Sequence, residues 1–227
     1  MKIFNRLKKI IDEDSFNKIN KSTILVIGLG GVGGYVVESL VRSGIGKIII
    51  VDKDVIDETN INRQIIALNS TIGFNKTDAF EQRIKDINPE CEVKKINDFI
   101  LKDNIELLFE EHIDYLVDAC DTTTTKKLII NECLNRNIPF ITCMGTGNRF
   151  EPNKLEIIDI RKTSNDPLAK IIRKYIKDMK INKKVMCLCS KEIPKKTGDY
   201  TPGSTAFVPP AAGLLISSYI IREIIKK

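Results

Sequence analysis

Histidine and paired cysteines, which many metal and redox sites require, are scarce in this sequence. His112 is the only histidine, and the six cysteines show neither a CxxC pair nor disulfide-like spacing. A closed tetrahedral zinc site needs four nitrogen or sulfur ligands, so this inventory argues against structural zinc. Cys120 and Cys143 lie in apolar runs and are predicted to be buried. Cys187 lies in an apolar strand context, which favours packing over a reactive thiol.

Long apolar runs are also missing. No window approaches the ~18 uninterrupted apolar residues that suggest a membrane span. Residues 1–14 carry charges throughout, unlike a secretory signal. We therefore expect a cytoplasmic protein with no stable membrane span, and peripheral membrane association stays open. The final helix is mostly apolar, and its small residues favour packing on the core or on a second subunit.

Charge is unevenly distributed along the chain. The 227 residues carry a net charge of +6, and 42% of them are hydrophobic, as in ordinary globular proteins. Residues 154–196 hold 13 Lys/Arg against 5 Asp/Glu, so the rest of the chain is slightly acidic. A basic block can steer a polyanion such as RNA, although a solvated lysine-rich surface is the commoner outcome.

Strands and helices alternate over the first two thirds of the chain. The predicted strands are residues 22–28, 47–52, 91–96, 113–120 and 138–145. Helical periodicity lies between them, which predicts an α/β, Rossmann-like, doubly wound and mainly parallel sheet with helices on both faces. Beyond residue 147 the pattern changes to a basic α+β elaboration, with strands at 154–160 and 184–190 around a helix at 166–180.

A glycine-rich turn follows the first predicted strand directly. Gly28, Gly30 and Gly33 fit G-x-G-x-x-G, with Gly31 between them, just before a helix. Glycines let phosphate oxygens approach the backbone, and the helix N-terminus offers free N–H groups. Asp52 ends the second strand and is placed to accept hydrogen bonds from ribose hydroxyls. These features fit an NAD(P) enzyme as well as an ATP enzyme.

The polar segment at 57–64, DETNINRQ, favours ATP. Arg63 can form a forked pair with phosphate oxygens, and Asn60 and Asn62 can hydrogen-bond phosphate or ribose. Lys76 begins the next helix and can neutralise further charge. Asp121 lies just past the fourth strand, where its carboxylate is a suitable ligand for Mg²⁺. Each residue has an ordinary structural role as well, but their joint occurrence at one sheet edge is hard to explain by structure alone.

Four segments resemble the adenylation core of the E1-like superfamily, which includes ubiquitin-type activating enzymes: VIGLGGVGG, VDKDVIDETNINRQ, GFNKTDA and VDACD. The resemblance implies one E1-like domain that binds ATP and Mg²⁺ and converts a carboxylate to an acyl-adenylate. It implies Asp52 on ribose and Asp121 on Mg²⁺. It also implies that Arg6 inserts into the partner's site of a homodimer. The implied nucleotide-binding residues are Gly28, Gly30, Gly31, Gly33, Asp52, Asp54, Asn60, Arg63, Gln64 and Lys76, and the implied catalytic residues are Arg63, Lys76, Asp121 and Arg6.

The tail resembles one branch, the bacterial tRNA threonylcarbamoyladenosine dehydratases, through segments such as MGTGNRFEPNKLEIIDIRKTSNDPLAKIIRK and GSTAFVPPAAGLLISSY. The resemblance implies adenylation of the modified adenosine at tRNA position 37, followed by cyclisation. We accordingly divide the chain into an N-terminal helical arm (1–20), a nucleotide-binding core (21–147) and a substrate and dimer elaboration (148–227). A sulfur-relay partner is possible for this branch. The tRNA-binding candidates are Arg161, Lys162, Lys170, Arg173, Lys174 and Lys177.

Alternatives stay open at this point. The chain could instead activate the C-terminus of a sulfur-carrier or ubiquitin-like protein. It could also be an ATP-binding scaffold without turnover, and a simple NAD dehydrogenase is more distant. His112 precedes a strand away from the motifs, so we expect an exposed loop residue rather than a general base. Tyr175 is the one candidate for base stacking in the basic block.

Overall fold

The fold is built on one seven-stranded sheet. The computed structural model describes residues 2–198 and 201–226. Its strands are β1 Thr23–Ile27, β2 Lys47–Val51, β3 Glu92–Ile96, β4 Tyr115–Asp118, β5 Phe140–Cys143, β6 Leu155–Asp159 and β7 Met186–Ser190. Their spatial order is β3-β2-β1-β4-β5-β7-β6, and only β6 runs antiparallel, against β7. The predicted mainly parallel sheet is confirmed, and the tail strands extend it.

The described residues form six α-helices that cover this sheet: α1 Glu13–Lys21, α2 Gly33–Arg42, α3 Lys76–Ile87, α4 Thr123–Arg136, α5 Pro167–Asp178 and α6 Val208–Lys226. Side-chain caps define two of their starts. The Asp12 carboxylate accepts the Ser15 N–H at 2.7 Å, and that of Asp166 accepts the Ala169 N–H at 2.8 Å. Such caps satisfy N–H groups that the first helical turn leaves free.

The core lies on both faces of the sheet. Residues of β1 alternate between two apolar clusters: Ile24 and Val26 pack with α2 and α6, whereas Leu25 and Ile27 pack with α4 and α5. A strand whose two faces are both buried reads as a continuous apolar run, which is how this segment appears in the sequence. The doubly wound arrangement therefore follows from the TILVI run of β1.

Helix α6 is long and apolar enough to cross a membrane by length and composition alone. Half of its most apolar stretch is buried inside the fold. A Cβ on Gly213 would lie 2.5 Å from the Val32 carbonyl oxygen of the turn before α2, so the two backbones are in close contact. The Ser39 hydroxyl donates to the Ser217 hydroxyl across the same interface at 2.6 Å. The expected packing of this helix on the core is confirmed.

Two local predictions differ from the structure. The N-terminal arm is helical, but it consists of two short 3-10 turns, Lys2–Phe4 and Leu7–Lys9, followed by α1. The start of the apolar segment 206–227 reads in the sequence as a strand-like entry, and that prediction is wrong, because the described residues ahead of Val208 form bends and coil. Two prolines at 209 and 210 fill the first turn of α6, where their missing N–H groups have no helical partner to lose.

Candidate active site

The carboxyl ends of the central strands open into a cleft of about 730 Å³. In open α/β sheets this edge is the usual position of a ligand site. Most of the residues predicted to bind nucleotide lie together on its wall: Gly28, Gly30, Gly31, Asp52, Asp54, Asn60, Arg63, Gln64, Lys76 and Asp121. Residues far apart in the sequence thus converge on one concave surface.

The glycine turn is shaped by two steric demands. Gly28 has a φ of +86°, and a Cβ there would lie 2.8 Å from the Ala119 carbonyl oxygen. A Cβ on Gly33 would lie only 1.7 Å from the Gly28 carbonyl oxygen. Gly33 therefore lets α2 begin directly behind the turn, and it does not itself line the cleft. The N-terminus of α2 has no side-chain cap, and the Gly34 N–H donates back to the Gly30 carbonyl of the turn at 2.9 Å.

Asp52 ties the turn to the second strand. Its carboxylate accepts the Leu29 N–H at 2.6 Å and the Asp54 N–H at 2.9 Å. The buried ammonium of Lys76 lies 3.8 Å from that carboxylate and 2.8 Å from the Asp54 carboxylate. Lys76 is thus held between two acids on the cleft wall, where it balances their charge before any ligand arrives.

The segment 57–64 is ordered by its own side chains. The Asp57 carboxylate accepts the Thr59 N–H at 2.8 Å and starts a short 3-10 turn. The Arg63 guanidinium donates to the Thr59 carbonyl at 2.9 Å and to the Asn62 side chain at 2.8 Å. Asn62 also donates to the Ser204 carbonyl at 3.2 Å. Arg63 lines the cleft with its guanidinium held by these two bonds, whereas Asn62, expected on phosphate or ribose, supports the wall.

Gln64 carries the clearest sign that the cleft is built for a ligand. Gln64 is only 7% exposed, and it lines the cleft. Its Oε1 atom has no hydrogen-bond partner among the described residues. A buried polar atom without a partner costs about 1–3 kcal/mol. A bound molecule with a donor group at this position would remove that cost.

Asp121 follows β4 and is exposed at the cleft wall, next to the N-terminus of α4. Within residues 2–198 and 201–226, no group of three or more His, Cys, Asp or Glu side chains could hold a metal ion. A metal bound by protein alone is therefore not supported there. Mg²⁺ is commonly held by one or two carboxylates together with substrate phosphates and water, and the single Asp121 carboxylate fits that mode.

A buried network lies beneath Asp121. The Lys126 ammonium contacts the Asp118 carboxylate at 3.0 Å and the Thr142 hydroxyl at 3.1 Å. Thr142 donates to the same carboxylate at 2.6 Å, and the Cys120 thiol donates to its other oxygen at 3.0 Å. Burial is the largest single influence on Lys126 and opposes its charged form, but the Asp118 carboxylate, together with Cys120 and Cys143, outweighs burial and raises the pKa of Lys126. The network fixes the backbone that carries Asp121.

Several cleft residues were missed by sequence reasoning. Lys53 lies 4.5 Å from the centre of the Phe99 ring, and both line the cleft beside Asp52. The signal for Phe99 was present, because it follows the carboxyl end of β3 as Asp52 follows β2. Thr146 lies at the end of the core, and Ser204 and Pro209 come from the tail; all three line the cleft and had no comparable local signal.

Arg6 lies away from the cleft of its own chain. It is exposed between the two N-terminal 3-10 turns. Nearby, Phe4 packs against Phe16 with ring centres 5.3 Å apart, and both contact Gly44 at the C-terminal end of α2. Because α2 starts at the cleft and runs away from it, this arm sits at the opposite edge of the sheet. Arg6 therefore does not reach the cleft of its own chain.

The six tRNA-binding candidates fall into two groups. Arg161 is bound to the Asp159 carboxylate at 2.9 Å and to the carbonyls of Ile181 and Lys183, at the edge away from the cleft. Arg173 donates to the Thr163 carbonyl at 2.9 Å. These two arginines stabilise the tail. The remaining four are exposed lysines: Lys162, Lys170, Lys174 and Lys177.

The exposed position expected for His112 and the burial expected for Cys187 are confirmed, whereas Tyr175, the candidate for base stacking, packs inside the fold. The His112 side chain is 80% exposed, 3.2 Å from Asp114, and outside the cleft. The Cys187 and Cys189 side chains are buried in the core. Tyr175 packs between helices, where its hydroxyl accepts from Asn131 at 2.5 Å and Lys127 lies 5.4 Å from its ring. It is a packing residue rather than a stacking platform.

Comparison with known proteins gives a consistent result. The model of the ThiF family matches residues 4–222. A Bacillus subtilis tRNA threonylcarbamoyladenosine dehydratase is 39% identical over 98% of this chain and 94% of its own length. The Haemophilus influenzae dehydratase is 41% identical over 77% of this chain and 67% of its own. The solved Escherichia coli tRNA N6-threonylcarbamoyladenosine dehydratase in complex with ATP is 31% identical, with a TM-score of 0.93 over 99% of this chain and 94% of that chain.

Proposed function

This chain belongs to the ThiF family, and we propose that it is an ATP-dependent tRNA threonylcarbamoyladenosine dehydratase. The observation that carries the proposal is the convergence of the glycine turn, Asp52, Arg63, Gln64 and Asp121 on one cleft. Relatives with this name match both the core and the tail, and a solved relative is bound to ATP.

In this proposal the cleft binds ATP by its phosphates and ribose. Backbone N–H groups of the glycine turn, at the N-terminus of α2, donate to phosphate oxygens, and the Asp52 carboxylate accepts hydrogen bonds from ribose hydroxyls. Arg63 is preset toward the cleft by Thr59 and supplies a fixed fork of donors for phosphate oxygens. Lys76 leaves its carboxylate partners or shares them when the polyphosphate adds negative charge.

Asp121 would hold Mg²⁺ together with those phosphates. An ion held there would supply positive charge that offsets the phosphates and so would weaken repulsion of the incoming carboxylate. The backbone that carries Asp121 is fixed by the buried network of Asp118, Lys126 and Thr142 below it. Rigid placement of this kind lets charge stabilisation act without reorganisation during the reaction.

The reaction has two bond exchanges. The substrate carboxylate oxygen bonds to the α-phosphorus of ATP and pyrophosphate leaves. The urea-type nitrogen of the same modification then bonds to the activated carbon and releases its proton to solvent, while AMP leaves with the former carboxylate oxygen. The nucleoside loses one water in total. Neither exchange needs a protein nucleophile, which agrees with the burial of Cys187 and the remote position of His112.

The proposal includes a division of the chain and its assembly. The core at 21–147 binds the nucleotide, and the tail at 148–227 receives tRNA through exposed lysines of α5. Two chains form a homodimer, so that Arg6 of each reaches the partner's cleft. Because tRNA is a cytoplasmic substrate, we place the protein in the cytoplasm; peripheral membrane association and a sulfur-relay partner remain compatible with it.

Nucleoside mass spectrometry tests the function directly. Threonylcarbamoyl-modified tRNA is incubated with the protein, ATP and Mg²⁺, and the nucleosides are then analysed. We expect ATP-dependent loss of one water from the modified nucleoside. An unchanged nucleoside, with ATP binding shown separately, would overturn the proposal. It would favour activation of a sulfur-carrier or ubiquitin-like C-terminus, which partner-dependent ATP–pyrophosphate exchange detects.

A further inference from the structure

An exposed aromatic pair stands at the rim of the cleft. The rings of Phe150 and Phe207 lie with centres 4.9 Å apart and planes at 81°. Phe150 is 56% exposed and Phe207 41% exposed. Large apolar side chains exposed together are costly in water and commonly mark a binding surface. The pair belongs to no part of the ATP-binding machinery described above.

The pair is continuous with the cleft through both of its segments. Thr146 and Ser204 line the cleft, and each lies within four residues of one of the two rings. The segments are bound to each other, since the Asn148 N–H donates to the Gly203 carbonyl at 2.8 Å. A substrate group that reached the cleft along this wall would pass the two rings.

The backbone beneath Phe150 is held rigidly. The buried Glu192 carboxylate accepts the Phe150 N–H at 2.9 Å and the Glu151 N–H at 2.9 Å. The neighbouring Arg149 guanidinium is buried and contacts the Asp166 carboxylate at 3.1 Å. An exposed ring on a fixed backbone loses little conformational freedom when a ligand stacks on it, which favours binding.

Positive charge surrounds the rings. The Lys195 ammonium lies 5.1 Å from the centre of the Phe150 ring, and Lys196 is adjacent in the chain. Both lysines are exposed, and neither forms an ion pair within the part of the chain that the structure describes. The long flexible Lys195 side chain can leave the ring for a phosphate. Aromatic rings beside unpaired cations are the combination that single-stranded nucleic acid requires.

We propose that Phe150 and Phe207, with Lys195 and Lys196, form a stacking platform for an unpaired nucleobase next to the modified nucleoside of the tRNA substrate. This proposal rests on the proposed function, because it takes the ligand to be tRNA. It adds a subsite that sequence reasoning overlooked: the two rings are far apart in the chain, and the basic block had suggested only Tyr175. A second copy of this chain would be the other occupant of an exposed apolar pair, and the flanking lysines argue against it.

The chain has no tryptophan, so Phe150→Trp introduces a single fluorescent reporter. We expect its emission to be quenched by a hairpin RNA with a single-stranded loop, and far less by duplex RNA of the same length. Emission that responds to neither RNA would overturn the platform. Emission that changes with protein concentration alone would also overturn it and identify a contact between copies. This readout does not require turnover, so it separates failure of the platform from failure of the dehydratase function.

Kinetics supply the second arm. Phe150→Ala and Phe207→Ala are each expected to raise the KM for modified tRNA about tenfold, with kcat and the KM for ATP unchanged. Phe150→Tyr, which keeps the ring, should retain a near wild-type KM. Phe74→Ala is the matched control, since Phe74 is 46% exposed and lies outside the cleft wall. An unchanged tRNA KM in both alanine variants would sink the proposal even if the enzyme is active.

Discussion

The Lys126 ammonium lies 3.0 Å from the Asp118 carboxylate, and neither side chain is exposed to solvent. The same carboxylate also receives hydrogen bonds from Thr142 and Cys120. The pair joins the end of β4 to the second turn of α4, directly behind the loop that carries Asp121. A fully buried ion pair is a weak source of net stability but a strong constraint, because each charge depends on the other.

Removing one member of this pair should be severe. Lys126→Met leaves the Asp118 carboxylate buried without its cation, and we expect a loss of about 3–5 kcal/mol in the free energy of unfolding. Urea unfolding measures that loss. The double variant Lys126→Met, Asp118→Leu should recover much of it, since no buried charge remains. If the free energy of unfolding of Lys126→Met lies within about 0.5 kcal/mol of the wild-type value, the buried pair does not constrain the fold.

Asp121 should be required for chemistry and dispensable for folding. Its carboxylate is exposed and makes only a 3.4 Å contact with the Thr122 hydroxyl. We expect Asp121→Ala to lower kcat at least about a hundredfold, through loss of Mg²⁺ positioning, with unchanged urea unfolding. Asp103→Ala, an exposed acid outside the cleft, is the matched control. Wild-type turnover in Asp121→Ala would remove this residue from the mechanism.

Arg6 should act across a dimer. Its exposed position at the far edge of the sheet prevents it from reaching the cleft of its own chain. Arg6→Ala is expected to lower turnover, as is Asp121→Ala. Mixing the two inactive proteins should restore activity, because random exchange leaves about one quarter of sites with both residues. If mixed subunits exchange, as seen by native mass spectrometry, and no activity returns, the cross-subunit role is wrong.

The exposed lysines of α5 should contribute to the salt dependence of tRNA binding. Lys170 lies one turn from Asp166, whose side chain is near Gly145 at the cleft edge, and Lys174 follows one turn later. Lys170→Glu with Lys174→Glu should raise the tRNA KM and lower the slope of log affinity against log salt by about one for each phosphate that is no longer neutralised. Lys102→Glu, an exposed lysine on another loop, is the control. An unchanged slope would show that the exposed lysines of α5 do not bind tRNA and form an ordinary solvated surface.

A pH-dependent prediction concerns Glu38, which joins α2 and α3. Burial alone would raise its pKa, but hydrogen bonds from Arg83 and Arg42 hold it below the ordinary value of 4.5. The folded state therefore binds fewer protons than the unfolded state at acid pH, so this stabilisation is present above pH 4.5 and is lost as pH falls through the folded pKa. Glu38→Gln should be less stable than wild type near neutral pH, with the gap closing in acid. Urea unfolding of both proteins between about pH 7 and about pH 3.5 measures this difference in the free energy of unfolding. A difference that stays constant with pH would contradict the lowered pKa of Glu38.

The sequence indicated most of the nucleotide cleft because its signals are local. Gly28 and Gly33 stand at fixed spacing between a strand and a helix, and Asp52 and Asp121 each follow the end of a strand. In a parallel sheet the carboxyl ends of strands share one edge, so local order along the chain predicts spatial neighbours. The same logic could have found Phe99 after β3.

Only the tertiary structure showed which partners the other polar side chains bind. Arg161 and Asn62 looked like free polar groups, yet their hydrogen bonds join backbone segments. The orphaned Oε1 of Gln64 and the buried pair of Asp118 and Lys126 are likewise properties of packing. Sequence spacing cannot report such partners, because they come from elements brought together by the crossovers of the sheet.

The sequence by itself determined the class of fold, the glycine turn and the edge at which a nucleotide would bind, since periodicity and strand order act over short stretches of chain. The tertiary structure decided where the tail, residues 148–227, packs against the core. It placed Phe150 and Phe207 in contact at the cleft rim and sent Arg6 to the opposite edge. Those outcomes depend on long-range packing of β6, β7 and α6 against the core, for which no local pattern carries the information.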